Sequence, residues 1–489
     1  MDGVVRTGPV SGGEGEAEKA GADAPGAGRR LTTGARTVFA VGDLTVNAGL
    51  SALSIVYTTY FLTQVAGLRP FLAGLVPFVG RIVDAVTDPA MGRLSDHTTL
   101  RGGRRRPYFL IGAIPFGATF ALLWFVPRVE SQWALFGYYA FIYCLVSVFS
   151  TVVSVPYLAL IPEMATDYDD RTSLNTYRSV GAIVGVFCAI ALRPVASGFG
   201  GGVGGFAAAG VFYGVMMALP WLAVHRVTFE RSGFAHRTAK TSILDSFRVA
   251  LRRRSFVQLM AFYLTGRVAM DLVGAMLILY FTYWLGRGSE FELAMSLFLL
   301  TTILVLPVWL RLSLHRDKAT VFRAGCAIWG VVQASLIFAM PDVSDAVVYG
   351  AVCAAGIGYG VVDLMPWAML GEVIDEDELE TGERREGLYN GLFMFLRKLA
   401  GALVVLVVLG SLDLLGFTRG ATQNPVVRIS ILVLSTLAPA ALLALSIWLA
   451  RDYPITRAAH ARTLDLLHRR GDVLESPPKS LGGSPRRVE

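Results

Sequence analysis

Residues 80–107 read GRIVDAVTDPAMGRLSDHTTLRGGRRRP. The first part closes an apolar run of bilayer-crossing length, which takes about 20 residues, yet it carries Arg81, Asp84 and Asp88. On a helix these three fall at i, i+3 and i+7, along one stripe. Two carboxylates one turn apart in a low dielectric repel, and one takes a proton unless a cation neutralises it. Arg81 balances one of them. The demand left over is one negative charge's worth, suited to Na⁺ or H⁺; a simple salt bridge tying helices together explains one acid and leaves the other. Pro89 adds to this, because its missing N–H deprives the Ala85 carbonyl of its helical partner. That oxygen, with Asp84, Asp88 and the Thr87 hydroxyl, makes an oxygen-only site for a hard cation.

The rest of the chain has the same apolar background. Of its 489 residues 54% are apolar and 17% charged, against about 25% charged in soluble domains. Apolar windows recur at 38–63, 70–92, 108–127, 133–161, 174–197, 205–225, 256–285, 291–313, 319–340, 346–373, 388–411 and 426–450. An all-α membrane protein of twelve transmembrane helices in two six-helix bundles is expected. The expected division is a disordered tail (1–37), a first bundle (38–225), a basic connector (226–255), a second bundle (256–450) and a second tail (451–489).

Arg and Lys gather after the even-numbered spans, as in Arg104 to Arg106, Arg226 to Arg254 and Arg311 to Lys318. Basic loops stay on the cytoplasmic side, so both termini are expected there, in a multi-pass cell-membrane protein. The net charge of +7 is thus an orientation signal. No basic patch is interleaved with exposed aromatics, which argues against a nucleic-acid partner. Residues 1–37 lack the apolar core of a signal peptide. Cys144, Cys188, Cys326 and Cys353 have no metal or disulfide spacing and read as packing residues. A monomer in the lipid bilayer is expected, with no cofactor and no metal beyond the coupling ion.

Further charges interrupt other spans. Asp43 and Asn47 lie i, i+4 in the first, Arg178 opens the fifth, and Arg267 and Asp271, i, i+4 in the seventh, can neutralise each other. Asp363 precedes MPW in the tenth, and Arg397 and Lys398 lie in the eleventh. Charges from both halves imply a shared polar cavity. Asp96, in the basic turn, can pair with the arginine cluster that includes Arg104, as a latch of one state, or cap a helix. Two stretches suggest internal repetition: VPYLALIPEMATDYDDRT (155–172) and MPWAMLGEVIDEDELETGERREG (365–387) each run from Pro-aromatic through a carboxylate to an acidic cluster. GIGYG (356–360) reads as close helix packing. GGVGGFAAAG (201–210) lacks the Lys and the strand of a phosphate loop and reads as a turn.

RIVDAVTDPAMG (81–92) with its basic turn resembles the cation-site motif of the glycoside–pentoside–hexuronide:cation symporters, the melibiose-permease-like branch of the major facilitator superfamily. VGDLTVNAGL (41–50) is similar to that family's first helix, VPYLALIPEMATDYDDRTSLNTYR (155–178) to its fourth and fifth, and MPWAMLGEVIDEDELETGERREGLYNGLFMFLRKLAGAL (365–403) to its tenth and eleventh. Four motifs in order are spread over residues 41–403, most of the chain's length. The resemblance implies that Asp84 and Asp88, with Thr87 and Thr151, hold the coupling cation. It implies that Arg178 contacts a sugar and that Lys398 links cation and solute. Asp43, Asn47, Ser154, Asp363 and Trp367 join the candidates for solute contact, and Arg81, Asp96, Arg104, Arg267 and Asp271 those for gating or structural ion pairs. The family's galactoside-gripping acids fall at Ala48 and Ser154, so a galactoside held by those clamps is not expected. The expected activity is Na⁺- or H⁺-coupled symport of an organic solute by alternating access, a sugar or glycoside first and a lysolipid-like amphipathic solute as the alternative. The rivals are a proton-driven exporter and, from the D-x-x-x-D spacing of 84–88, a Mg²⁺-dependent intramembrane prenyltransferase.

Overall fold

The computed structural model describes residues 31–98, 102–165, 168–230, 250–383, 385–418, 420 and 422–475. Residues 1–30 of the first tail, 231–249 of the connector and 476–489 of the second tail lie outside these. The described chain is helical throughout its apolar runs, since a chain in hydrocarbon must satisfy its backbone polar groups within itself. The long helices are α1 (Thr33–Val65), α2 (Pro70–His97), α3 (Pro107–Leu122), α4 (Gln132–Ala159), α5 (Tyr168–Ile190) and α6 (Gly202–Val227). There follow α7 (Arg254–Trp284), α8 (Gly288–His315), α9 (Lys318–Phe338), α10 (Asp345–Thr381), α11 (Glu386–Leu414), α12 (Pro425–Leu449) and α13 (Arg457–Glu475). Eleven of the first twelve contain a segment long and apolar enough to cross a membrane. The exception is α3, at 16 residues, about 24 Å of helix. Its expected extension to 127 fails because Pro127 disfavours helix in the residue before it.

Local chemistry sets the boundaries. The first helix begins at Thr33, inside the stretch expected to be tail, because the Thr32 hydroxyl accepts from Ala35 N at 3.2 Å as an N-cap. Pro70 and Pro107 open α2 and α3 at positions where a missing N–H costs nothing. Gly382, at φ 76°, ends α10 in the left-handed conformation that glycine adopts freely. Two irregularities have no periodicity signal: a π-helical stretch, Leu53–Val65, completes α1, and α12 breaks at Thr436 (φ −122°, ψ −71°).

The chain divides into two compact units, Met1–Ala239 with Leu406–Asn424, and Lys240–Val405 with Pro425–Glu489. The last turns of α11 group with the first unit because Asp413 meets Arg69 at 3.3 Å and the Phe71 ring packs on Gly410. In that unit glycines bring helices to backbone contact. Gly117 and Gly214 each press on the other's carbonyl across α3 and α6, and Gly181 and Gly185 of α5 press on the Ala40 and Leu44 carbonyls of α1. In the second unit Gly356 and Gly360 face α8 while Gly358 abuts the Gly325 carbonyl of α9. The 356–360 stretch therefore packs α10 against two neighbours at once.

Helix α13 follows the last span, within the stretch assigned to the second tail. It is docked, with Arg457 N donating to Asp317 Oδ1 at 2.8 Å and His460 Nε2 3.0 Å from Asp375 Oδ2.

Candidate functional site

The acids of α2 are the first centre. Asp84 is buried, 7% exposed, and pairs with Arg81 Nη1 at 3.0 Å. One turn on, Asp88 Oδ1 accepts a 2.7 Å hydrogen bond from Thr151 Oγ1 of α4, itself buried. Tyr143, also on α4, lies directly against Gly80, so a residue with a side chain at 80 could not keep α4 this close to Arg81 and Asp84. Thr87 spends its hydroxyl proton on Val83 O at 3.0 Å, within its own helix. The structure thus brings Thr151 to the acid pair, while the Thr87 hydroxyl bonds along its own helix. Carboxylate and hydroxyl oxygens are a donor set that suits a hard monovalent cation, and the one guanidinium offsets one of the two negative charges. Among the described residues no group of three or more His, Cys, Asp or Glu is arranged for a metal ion.

The second centre joins α1 to α5. The close approach at Gly181 and Gly185 sets Arg178 against Asp43. The Arg178 Nε side contacts Asp43 Oδ2, and Nη2 lies 3.3 Å from Oδ1. Tyr157 donates to Phe39 O at 2.8 Å and reaches Asp43 Oδ2 at 3.4 Å, its ring stacked on Phe39 at 4.2 Å. Asn47 donates to Asp43 O at 2.8 Å. Ser154 is half-buried on α4. Asp43 and Arg178, expected as separate solute contacts, hold each other here.

The third centre belongs to the second unit. Arg267 grips Asp271 through two nitrogens, Nε at 3.1 Å and Nη2 at 2.7 Å, and its Nη1 lies 3.4 Å from Asp363 Oδ1. Tyr263 donates to the same Asp363 oxygen at 3.1 Å. Phe393 of α11 stacks on Tyr263 at 4.4 Å and meets Trp367 at 4.6 Å. Lys398 is half-buried on the same helix. The Arg267–Asp271 pair thus includes a third member, Asp363, which sequence spacing could not supply.

In the basic turn before α3, Asp96 pairs with one member of the arginine cluster, Arg105, at 2.6 Å; Arg104 meets Glu163 at 2.6 Å, and Arg105 reaches the same Glu163 oxygen at 2.5 Å. Arg105 is 1% exposed and also donates to Ala159 O at 2.6 Å, so burial selected the more enclosed guanidinium for two acids. Burial raises the Glu163 carboxyl above its ordinary range, while Arg105 and Arg104 pull it back down. Glu230 caps the turn, its carboxylate accepting from the backbone N–H groups of Arg104, Arg105 and Arg106 at 2.7–3.0 Å. Sequence reasoning missed Glu163 and Glu230. The internal repetition contained the signal for the first: Glu163 follows Pro156 as Glu372 follows Pro366, and Glu372 takes Lys318 Nζ at 2.7 Å.

Comparison with known proteins agrees with this architecture. The family described as MFS/sugar transport protein matches residues 38–457. An uncharacterized symporter of Synechocystis is 28% identical, with 83% of this chain and 91% of that protein covered. The sodium-dependent lysophosphatidylcholine symporter 1-A of Danio rerio is 25% identical, covering 87% and 86%. Among solved structures, a bacterial homologue of the human lysosomal transporter Spinster superposes with a TM-score of 0.64 at 13% identity, over 89% of this chain and 99% of that one; this likeness concerns the fold. The relatives are transporters, which removes the prenyltransferase reading of the 84–88 acids. The chain belongs to the MFS/sugar transport protein family and is a multi-pass membrane symporter of that type.

Proposed function

We propose that the protein takes up an organic solute together with Na⁺ or H⁺ across the cell membrane, by alternating access, with both termini cytoplasmic. The observation that carries the coupling is the arrangement on α2: two acids one turn apart, one base at 3.0 Å from the first, and a hydroxyl at 2.7 Å from the second. The net charge of these three α2 side chains is −1. A monovalent cation relieves it, and its departure restores the repulsion, so cation occupancy biases whichever state closes around the site. Asp84, Asp88 and Thr151 are the proposed ligands, with Thr87 as a further oxygen on the same helix. The solute class stands between a sugar or glycoside, favoured by the family's description, and a lysolipid-like amphiphile, favoured by the Danio rerio relative.

The test uses the full chain in liposomes, with solutes of both classes supplied under an inward Na⁺ gradient or an inward H⁺ gradient. Accumulation driven by one gradient, and its loss in Asp88→Asn with solute exchange at equal cation retained, supports the reading. Gradient-driven accumulation that survives Asp88→Asn removes the assignment, and solute exclusion from cells would favour export.

A further inference from the structure

Glu163 and Glu372 occupy matching places in the internal repeat, yet the fold holds them differently. Glu163 is fully buried under Arg104 and Arg105, and guanidinium groups stay charged at every physiological pH. Glu372, also buried, takes Lys318 Nζ at 2.7 Å, and His460 Nδ1 lies 3.8 Å from the same Oε1. The other ring nitrogen, Nε2, is 3.0 Å from Asp375 Oδ2. One of the two bases at Glu372 is therefore a histidine, and it comes from the C-terminal helix α13. All of these residues belong to the second unit.

Helix α13 docks by one face. Thr456 caps it, accepting from Ala459 N at 3.2 Å, and the Asp317 carboxylate accepts from Arg457 N at 2.8 Å, an anion at the positive end of the helix. Ala459, His460, Thr463, Leu464 and Leu467 are half-buried, at the spacing of one helix face, whereas Arg457, Arg462, Asp465 and Arg469 are exposed. Among the described residues of the inner face, His460 is the one ionisable group. The charged and titratable groups around it are Glu372 and Asp375 of α10, Lys318 and Asp317 at the start of α9, Glu376, which accepts the Ser255 hydroxyl, and Tyr453. Burial raises the Tyr453 phenol well above its ordinary range, so it keeps its proton.

We propose that docking of α13 is conditional on His460 carrying a proton, so that the C-terminal helix clamps the end of α10 as the pH falls and releases it as the pH rises. The protonated ring donates from both nitrogens, one toward each acid; the neutral ring has a single N–H and turns a lone pair on the other carboxylate. Histidine is the side chain that ordinarily makes this change between about pH 5 and 8. The docked helix thus binds the proton more tightly than the released one, and by linkage docking weakens as the pH rises. Because α10 also carries Asp363 and Trp367, the clamp acts on a helix that presents candidate solute contacts. The inference does not depend on which solute is carried. With the C-terminus placed as proposed above, the pH concerned is cytoplasmic, and that clause alone rests on the proposed function.

The experiment is hydrogen–deuterium exchange of the purified full chain in Na⁺ at about pH 6 and about pH 8, on either side of the histidine range, with the rates corrected for the intrinsic pH dependence of amide exchange. Protection of the α13 amides is expected to be roughly tenfold or more greater at the lower pH, the scale of a charge-assisted hydrogen bond, with a smaller change in the same direction over the end of α10 that carries Glu372 and Asp375. His460→Gln is expected to show the low protection at both pH values, and His460→Arg, charged throughout, the high protection at both. An unchanged exchange pattern in the remaining helices reports that each variant is folded. Protection of α13 that does not vary with pH in the wild type, or a pH dependence that survives in His460→Gln, overturns the proposal. Asp88→Asn, which removes a proposed cation ligand, is expected to keep the pH dependence of α13, so failure of the coupling reading and failure of the clamp are read separately.

Discussion

Thr151 Oγ1 donates a 2.7 Å hydrogen bond to Asp88 Oδ1 from a neighbouring helix. The bond fixes the orientation of the carboxylate and sets a hydroxyl oxygen beside it, both of them proposed ligands of the coupling cation. Thr151→Val, nearly isosteric, removes the donor and one oxygen. A hydrogen bond to a charged group contributes about 1.5–3 kcal/mol, so the half-saturating cation concentration for uptake is expected to rise roughly tenfold or more. Thr151→Ser should stay near wild type. Unchanged cation dependence in the Val variant would separate Thr151 from the site.

Removing the base next door should act in the opposite direction. With Arg81 paired to Asp84 at 3.0 Å, the three α2 groups carry a net single negative charge; Arg81→Gln makes it double. Cation binding is then expected to tighten several-fold, read as a lower half-saturating Na⁺ concentration or, if H⁺ couples, as an uptake profile shifted toward alkaline pH. Asp84→Asn brings the net charge to zero and should abolish cation stimulation. Weaker cation binding in Arg81→Gln would mean that Arg81 serves chiefly to hold the site's shape.

Two ion pairs of the first unit predict contrasting stability effects. Glu163 is fully buried and holds Arg105, itself 1% exposed, so Glu163→Gln leaves a buried guanidinium short of its partner. A cost of about 3–5 kcal/mol is expected, seen as a clear fall in melting temperature in detergent. Arg69–Asp413, at 3.3 Å with the Arg69 side chain 65% exposed, is screened by water and salt. Asp413→Asn should cost under about 1 kcal/mol, and added salt should narrow the difference from wild type. Equal losses in the two variants would show that burial does not set the strength of these pairs.

The spans could be read from sequence because hydrocarbon imposes one rule over every 20 residues. The α2 acids were likewise readable, since charge in an apolar run needs a reason whatever surrounds it. What joins different helices was not. Tyr157 and Tyr263 resemble ordinary core aromatics in the sequence, and nothing in the spacing of Asp363 shows that it completes the Arg267–Asp271 pair. Glu163 and Glu230 sit in polar connections where acids are common, and only the fold reveals that one is buried under two arginines and the other caps three backbone N–H groups. The choice of Arg105 over Arg104 for Asp96 depends on which guanidinium the fold encloses, and neighbouring arginines in a run carry no mark of that.

Gly401 offers a test of the α7–α11 register that touches no charged side chain. A Cβ there would lie 2.7 Å from Asp271 Oδ2 and 3.4 Å from its Cγ, closer than the carboxylate can tolerate, so Gly401→Ala must displace either α11 or Asp271. The helix itself gains from alanine, by roughly 1 kcal/mol of propensity, and α11 is expected to stay formed. The strain is then taken at the carboxylate, which rotates away from Arg267 and weakens the bonds at 3.1 and 2.7 Å. Uptake should fall at least tenfold with little loss of melting temperature, while cation-induced stabilisation, proposed to arise at α2, should persist. Gly358 provides the contrast: it abuts the Gly325 carbonyl, backbone against backbone, where no side chain can yield, so Gly358→Val should lower the melting temperature and the yield of folded protein. A Gly401→Ala protein with full uptake would place α11 further from Asp271 than this register allows.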